Sequence, residues 1–221
     1  MDVIKVHDHE ANQYDQQAKT WGWNPDVFFG LMWEYVRLGD RLLDAGIGTG
    51  LCSEPFLKAG VEISGFDGSE KMLRLCRAKQ ISGDLTVHRL ENTPWPYQDA
   101  CFDLVITGGV LHFFGALDTI FKEVCRVLTG PRVFAFNISL LTRADSKRQG
   151  VSADKPYAKV PDEASGVSMY KHSEAYISGL LGERGMTVEK RLTFLASRHP
   201  KTFEAHYSTL FVVRENRGEK G

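Results

Sequence analysis

Apolar positions change their period repeatedly along this chain of 221 residues. Between residues 40 and 138, short unbroken apolar runs alternate with stretches of helical spacing. Arg41 to Ala45 is a short buried strand, and Leu51 to Ala59 a helix stopped by Gly60. Val61 to Phe66 is the next strand. Ser69 is placed to cap a helix running to about Lys79, with Glu70 favourable in its first turn. Leu85 to Leu90 and Phe102 to Thr107 read as the third and fourth strands. A helix near Leu117 to Leu128 is then broken by Gly130-Pro131, and Val133 to Ile138 is the fifth strand.

This rhythm predicts right-handed crossovers and a parallel sheet covered on both faces. The C-terminal part differs. Ser173 to Arg184 reads as a helix, and Thr187 to Leu195 and Tyr207 to Arg214 as strands. Arg198 to Glu204 would connect those strands, which would pair antiparallel. The expected fold is therefore α/β and Rossmann-like: a seven-stranded parallel sheet with helices on both faces and an antiparallel C-terminal strand.

Two stretches frame this core within a single domain of residues 1–221. Residues 1–40 are expected to form a helical cap. Asn24-Pro25 offers an N-cap and a proline at the first helical position. Val27, Phe28, Leu31, Met32, Tyr35 and Val36 follow at helical spacing, and Gly39 ends the run. Residues 139–171 are polar, of mixed charge, and hold Pro156 and Pro161. So long an irregular stretch in a compact domain points first to a lid over a site, with a solvated surface excursion as the alternative.

Composition narrows the class. Twenty-seven basic and 28 acidic side chains leave a net charge of −1, so no strong field favours nucleic acid or an anionic membrane. No apolar run reaches the ~18 residues of a membrane span, and Met1 to Glu10 lacks the apolar centre of a signal peptide. Cys52, Cys76, Cys101 and Cys125 form no CxxC pair, so they are expected to be reduced core residues of a cytoplasmic protein, with no metal. Oligomeric state is not written in these features.

The candidate chemistry begins at Asp44-Ala45-Gly46-Ile47-Gly48-Thr49-Gly50, between the first strand and the next helix. Glycines there let backbone N–H groups approach a ligand at the carboxyl end of the sheet. The dinucleotide fingerprint requires a third glycine where Leu51 stands. Asp44 suits a cationic or amino-bearing ligand better than a pyrophosphate. Asp67 ends the second strand, where a carboxylate can accept hydrogen bonds from ribose hydroxyls.

Three blocks together resemble the class I S-adenosylmethionine-dependent methyltransferases, of the type 11/12 kind. They are Leu42 to Gly50, Gly65 to Leu73, and Trp95-Pro96-Tyr97-Gln98-Asp99-Ala100-Cys101-Phe102-Asp103-Leu104-Val105. Their order and spacing match over roughly residues 40–138. Tyr170 to Tyr176 is loosely similar to a subgroup of small bacterial-type members.

The resemblance implies S-adenosyl-L-methionine as cofactor. Gly46, Gly48 and Gly50 would line its methionine and ribose part, and Asp44 would lie near its amino group. Asp67 would bind the ribose hydroxyls, with Gly68 and Met72 flanking adenine. Glu91-Asn92 stands where the family carries an acid and a small residue for adenine. Thr107 and Gly108 would sit beneath the methionine, and Tyr14-Asp15 resembles a pair that folds over the cofactor. Trp21 and Trp23 are further candidates for closing that side.

Transfer from a sulfonium needs alignment first, and a base only if the acceptor must lose a proton. His112 follows the fourth strand and is the candidate catalytic residue, with Tyr170 and His172 beside the expected lid. Thr107-Gly108-Gly109-Val110 lacks the Asn/Asp-Pro-Pro-aromatic motif of nucleobase-amine enzymes, and no Pro-Cys pair exists for cytosine C5 chemistry. A small-molecule acceptor is the first reading. A protein or peptide acceptor, a non-catalytic cofactor-binding module, and an NAD-dependent oxidoreductase are the alternatives.

Overall fold

The computed structural model describes residues 3–143, 145, 155–161, 167–198 and 203–216. Seven strands form one sheet in the order β3-β2-β1-β4-β5-β9-β8. They are β1 (Arg41–Ala45), β2 (Glu62–Asp67), β3 (Asp84–Val87), β4 (Phe102–Thr107), β5 (Leu128–Ile138), β8 (Met186–Arg198) and β9 (Ala205–Glu215). β1 through β5 pair in parallel. β9 runs antiparallel between β5 and β8, as the sequence predicts.

Both faces are covered. The helices are α1 (Val3–Trp21), α2 (Asp26–Met32), α3 (Glu54–Lys58), α4 (Glu70–Ala78), α5 (Asp118–Val127) and α6 (Glu174–Gly182). On one face, Phe121 and Val124 of α5 and Ile177 and Leu181 of α6 pack on Leu43, Val105, Phe134 and Phe136. On the other, Phe28 and Met32 of α2, Phe56 of α3 and Leu73 of α4 pack on Leu42, Leu104, Ile106 and Val212. Neighbouring strand positions thus serve opposite faces, which is why these strands read as continuously apolar.

Local signals set most boundaries. Ser69 caps α4 by accepting a bond from the Met72 N–H at 3.1 Å, and Ser173 caps α6 through the Tyr176 N–H. Other boundaries move for identifiable reasons. β3 ends at Val87 rather than Leu90, because it is an edge strand paired only with β2. β5 begins at Leu128, so Gly130-Pro131 does not precede the strand but lies inside an irregularity. β5 advances five positions there, from Leu128 to Val133, while β4 advances two, from Phe102 to Leu104. α2 starts at Asp26, one residue later than the Asn24 cap implies, and no side chain caps it. The run predicted to Val36 tightens into a 3-10 turn at Trp33–Tyr35.

The N-terminal cap is helical, and most of it is α1. In the expected lid, β6 (Tyr157–Pro161) and β7 (Ser168–His172) form a two-stranded antiparallel sheet, tied to the end of β5 by a bridge between Leu140 and His172. Residues 144, 146–154 and 162–166 of that stretch lie outside the described residues, as do 199–202 in the β8–β9 connection. All four cysteines are free, with Cys52 and Cys76 buried and Cys101 and Cys125 half-buried. Among the described residues no helix is long and apolar enough to cross a membrane.

Candidate cofactor and acceptor site

The carboxyl ends of β1, β2 and β4 open into a cavity of about 350 Å³. Strand order places it there. β1 connects outward to β2 while its other neighbour, β4, begins the opposite half, so the loops after them part and leave a crevice.

The glycine loop makes the floor. Gly46, Gly48 and Gly50 have φ of +86°, +54° and +85°, values that a side chain resists. A Cβ on Gly46 would also lie 2.7 Å from Val110 Cγ2. Crowding of this kind leaves only glycine where the loop turns under the cavity.

Two carboxylates define the polar wall. Asp67 accepts from the Gly48 N–H at 3.0 Å through Oδ2 and from the Ser69 N–H at 2.8 Å through Oδ1. These bonds fix its plane across the loop and leave further lone pairs for a ligand. Burial still raises its pKa above the ordinary carboxylate value. Asp44 is 1% exposed and accepts from Ser53 Oγ at 2.7 Å. Burial pushes its pKa up to about 7, and the Asp67 charge adds to the rise. Among the described residues, no cation acts on Asp44 to offset this. The donor set therefore fits a ligand that brings its own positive charge and a pair of hydroxyls, as S-adenosylmethionine does.

α1 roofs the cavity. Ile4, His7 and Tyr14 line it, and Ala11 and Ala18 on the same face are buried. Their spacing of 3, 4, 3 and 4 residues places all five on one stripe. Ile4 lies over Gly68, where a Cβ would come within 2.4 Å of Ile4 Cδ1. Polar contacts hold the helix down. Thr49 Oγ1 donates to Asp15 Oδ1 at 2.6 Å, Lys79 forms an ion pair with Asp15, and Ser69 Oγ donates to Asp8. Burial drives the Tyr14 phenol far above its usual range, so it keeps its proton.

The far end of the cavity is largely apolar and aromatic. Trp23, Val110, Phe113, Phe114, Val167 and Tyr170 close it. Phe113 and Phe114 stand at a 3-10 turn after β4 (Leu111–Phe113). His172 is fully buried behind them, its Nε2 against the Phe114 and Gly115 carbonyl oxygens at 2.9 and 3.1 Å. Those acceptors require Nε2 to carry the proton, and burial lowers the His172 pKa.

Of the sequence candidates, Tyr14, Asp44, Gly46, Gly48, Asp67, Gly68, Met72, Glu91 and Gly108 line this cavity, as do Trp23 and Tyr170. Gly50, Asn92, Thr107, His112, Trp21 and His172 are not among its lining residues. Gly50 turns away towards Cys76 and Ile81. The Asn92 carbonyl oxygen meets His88 Nε2 at 2.9 Å. Thr107 is buried in β4. The His112 ring is tilted against that of Phe113, with centroids 4.1 Å apart and an interplanar angle of 50°. The sequence reading passed over Ile4, His7, Phe113, Phe114 and Val167. For the first two, the 3-4 spacing of α1 was the available signal.

A family model described as a methyltransferase domain matches residues 43–135. A ubiquinone biosynthesis O-methyltransferase of Alkalilimnicola ehrlichii is 30% identical over 122 residues, 45% of this chain and 49% of that protein. A malonyl-[acyl-carrier protein] O-methyltransferase of Legionella pneumophila is 28% identical over 138 residues, 58% of this chain and 46% of that one. The matches thus take in less than half of these relatives' own length. Among solved structures, the 1,6-didemethyltoxoflavin-N1-methyltransferase of Burkholderia thailandensis, with bound 1,6-didemethyltoxoflavin and S-adenosylhomocysteine, superposes with a TM-score of 0.66. It is 16% identical, and the match covers 96% of this chain and 88% of that one.

Proposed function

Residues 43–135 place the chain among the class I S-adenosylmethionine-dependent methyltransferases, and on that premise we propose that it methylates a small-molecule acceptor by in-line displacement. The observation that carries this reading is the roofed cavity. One end holds the buried Asp44 and the half-buried Asp67, with no cation acting on Asp44 among the described residues, and the other is lined largely by aromatic side chains.

S-adenosylmethionine supplies a methyl group on a sulfonium, already activated for displacement. The chain's own residues supply position. Asp67, fixed by two backbone N–H donors, is set to accept from the ribose hydroxyls. Asp44 would face the amino group, and Gly46 and Gly48 let the backbone come close. Met72, Gly68 and Glu91 border the adenine end. Trp23, Phe113, Phe114 and Tyr170 would hold a flat acceptor facing the methyl group. Alignment of two bound reactants can lower a barrier by ~7–11 kcal/mol, and removal of water strengthens it.

A small acceptor is supported by the walls. α1 on one side and β7 on the other bound a space suited to a compact molecule. The named relatives act on ubiquinone precursors, malonyl-acyl-carrier protein and a toxoflavin precursor. Likeness to them supports a protic or carboxylate acceptor atom. The test pairs calorimetric titration of S-adenosylhomocysteine with a metabolite-library screen for labelled methyl transfer. Binding followed by transfer to a small molecule is expected. Tight NADH binding without a response to S-adenosylhomocysteine would overturn the reading.

A further inference from the structure

We propose that His7 of α1 is the general base of the acceptor half-site, and that the acceptor is a flat aromatic bearing an O–H or N–H group. The inference rests on the methyltransferase reading and adds the proton's destination and the acceptor's class.

Geometry carries it. His7 lines the cavity with its ring in contact with both Tyr14 and Phe113. Its ring meets Tyr14 edge-on with centroids 5.9 Å apart, and Phe113 edge-on at 5.5 Å. Two edge contacts fix the plane of the imidazole, while its nitrogens make no hydrogen bond among the described residues. A polar group held in place without a partner, on the wall of a ligand cavity, is set to meet the ligand's own polar atom.

The carboxylates that line the cavity already hold partners. Asp67 takes two backbone N–H donors, and Asp44 takes the Ser53 hydroxyl beneath the glycine loop. Glu91 is paired with Arg89 Nε at 2.7 Å. His88 donates from Nε2 to the Asn92 carbonyl and packs edge-on against Phe66 at the end of β2, with ring centroids 5.6 Å apart. Tyr14 keeps its proton. His112, the candidate named from sequence, is not among the residues that line the cavity.

Burial lowers the His7 pKa, against a smaller upward pull from Asp8, so the imidazole is neutral at pH 7 and able to accept. Asp8 and Tyr14 face it from its own helix. Asp67 lies at the end of β2, Arg89 and Glu91 beyond β3, and Tyr170 on β7.

The step balances simply. A lone pair on the acceptor oxygen or nitrogen forms the bond to the methyl carbon. The carbon–sulfur bond breaks, and its electron pair stays on sulfur as the sulfonium becomes a neutral thioether. The acceptor's proton passes to a free nitrogen of His7, and the imidazolium releases it to water after product leaves. The residues named as the acceptor's walls, Phe113, Phe114 and Trp23, favour a planar partner.

The test compares acceptors that must lose a proton with acceptors that need not. The probes are phenols, catechols and N–H heteroaromatics on one side and benzoates, ionised at neutral pH, on the other, with labelled S-adenosylmethionine. His7→Asn is expected to lower kcat for the protic probes by about a hundredfold or more. The acid limb of their pH–rate profile should disappear, and S-adenosylhomocysteine affinity should stay unchanged. Any benzoate transfer should be spared. Should His7→Asn perturb cofactor binding, His7→Phe keeps the edge contacts with Tyr14 and Phe113 and carries the same comparison. Unchanged protic turnover, equal loss on both probe classes, or no transfer to any protic probe by a protein that binds S-adenosylhomocysteine would each overturn the role of His7. Failure to bind S-adenosylhomocysteine at all would instead overturn the methyltransferase reading beneath it.

Discussion

Replacing Asp44 by Asn separates what the residue does for the ligand from what it costs the fold. Its carboxyl rises from an ordinary value of 3.8 to about 7, chiefly through burial. At ~1.36 kcal/mol per tenfold, that rise corresponds to about 4 kcal/mol of lost stability once the group is ionised. The sign follows from linkage. The folded pKa of an acid lies above its unfolded value, so the fold disfavours the carboxylate. The penalty is absent below pH ~4, grows as pH climbs towards 7, and is complete above it. Asn keeps an oxygen to accept from Ser53 and carries no charge at any pH. In the ligand-free protein, Asp44→Asn should therefore be more stable than the parent by up to about 4 kcal/mol at pH 8, and nearly equal to it only below pH ~4. Urea denaturation at several pH values, without cofactor, measures this. The same change should weaken S-adenosylhomocysteine binding by about tenfold to a hundredfold, because a charged partner is lost. In the parent, affinity should fall as pH drops below 7, as Asp44 takes up the proton that the ligand's amino group must displace. A variant that is no more stable than the parent at pH 8 would refute the reasoning.

Further expectations follow from the same geometry. Asp67→Ala removes a side chain that spans Gly48 and Ser69, and should raise the S-adenosylhomocysteine Kd by about tenfold to a hundredfold in calorimetry; an unchanged Kd would remove Asp67 from the site. Gly46→Ala meets both φ of +86° and a 2.7 Å approach to Val110. It should cost more than about 1 kcal/mol in denaturant unfolding, and Val110→Ala should restore only the part owed to crowding. Amides of α1 and of β7 should exchange more slowly with S-adenosylhomocysteine bound; equal rates in both states would count against a closing roof and lid.

The parallel half of the sheet was legible because its physics is local. The five residues Arg41–Ala45 and the six of Phe102–Thr107 are largely apolar without a helical period, and the sheet buries both of their faces. Ser69 and Ser173 mark helix starts by a bond each side chain makes within its own turn. α1 was harder. Only Ala11 and Ala18 of its 19 residues are buried, so its apolar stripe is thin, and the rest reads as polar surface. β6 and β7 pair with each other rather than with the main sheet, so no framework of neighbouring strands betrays them in sequence.

The same contrast explains the site. Its donor end is built from one continuous stretch, where the glycine loop and Asp67 sit within 24 residues of one another and carry a recognisable order. Its acceptor end is assembled from α1, the turn after β4, and β7, which are far apart in the chain. Each contributes one or two side chains whose neighbours face solvent or core. His7 shows the consequence. In sequence it is one of seven histidines in a polar N-terminal stretch, and nothing nearby marks it. Only when Ile4, His7, Ala11, Tyr14 and Ala18 align on one face, and Phe113 arrives from the opposite side, does its imidazole acquire a fixed plane and a cavity to address. His112 had the better position in the chain, directly after the strand that faces the methyl donor. The 3-10 turn then brings Phe113 to the cavity wall and leaves His112 off it, tilted against the Phe113 ring. One step along a tight turn exchanges an inward side chain for an outward one, so proximity in sequence to the reacting centre selects the turn and not the residue.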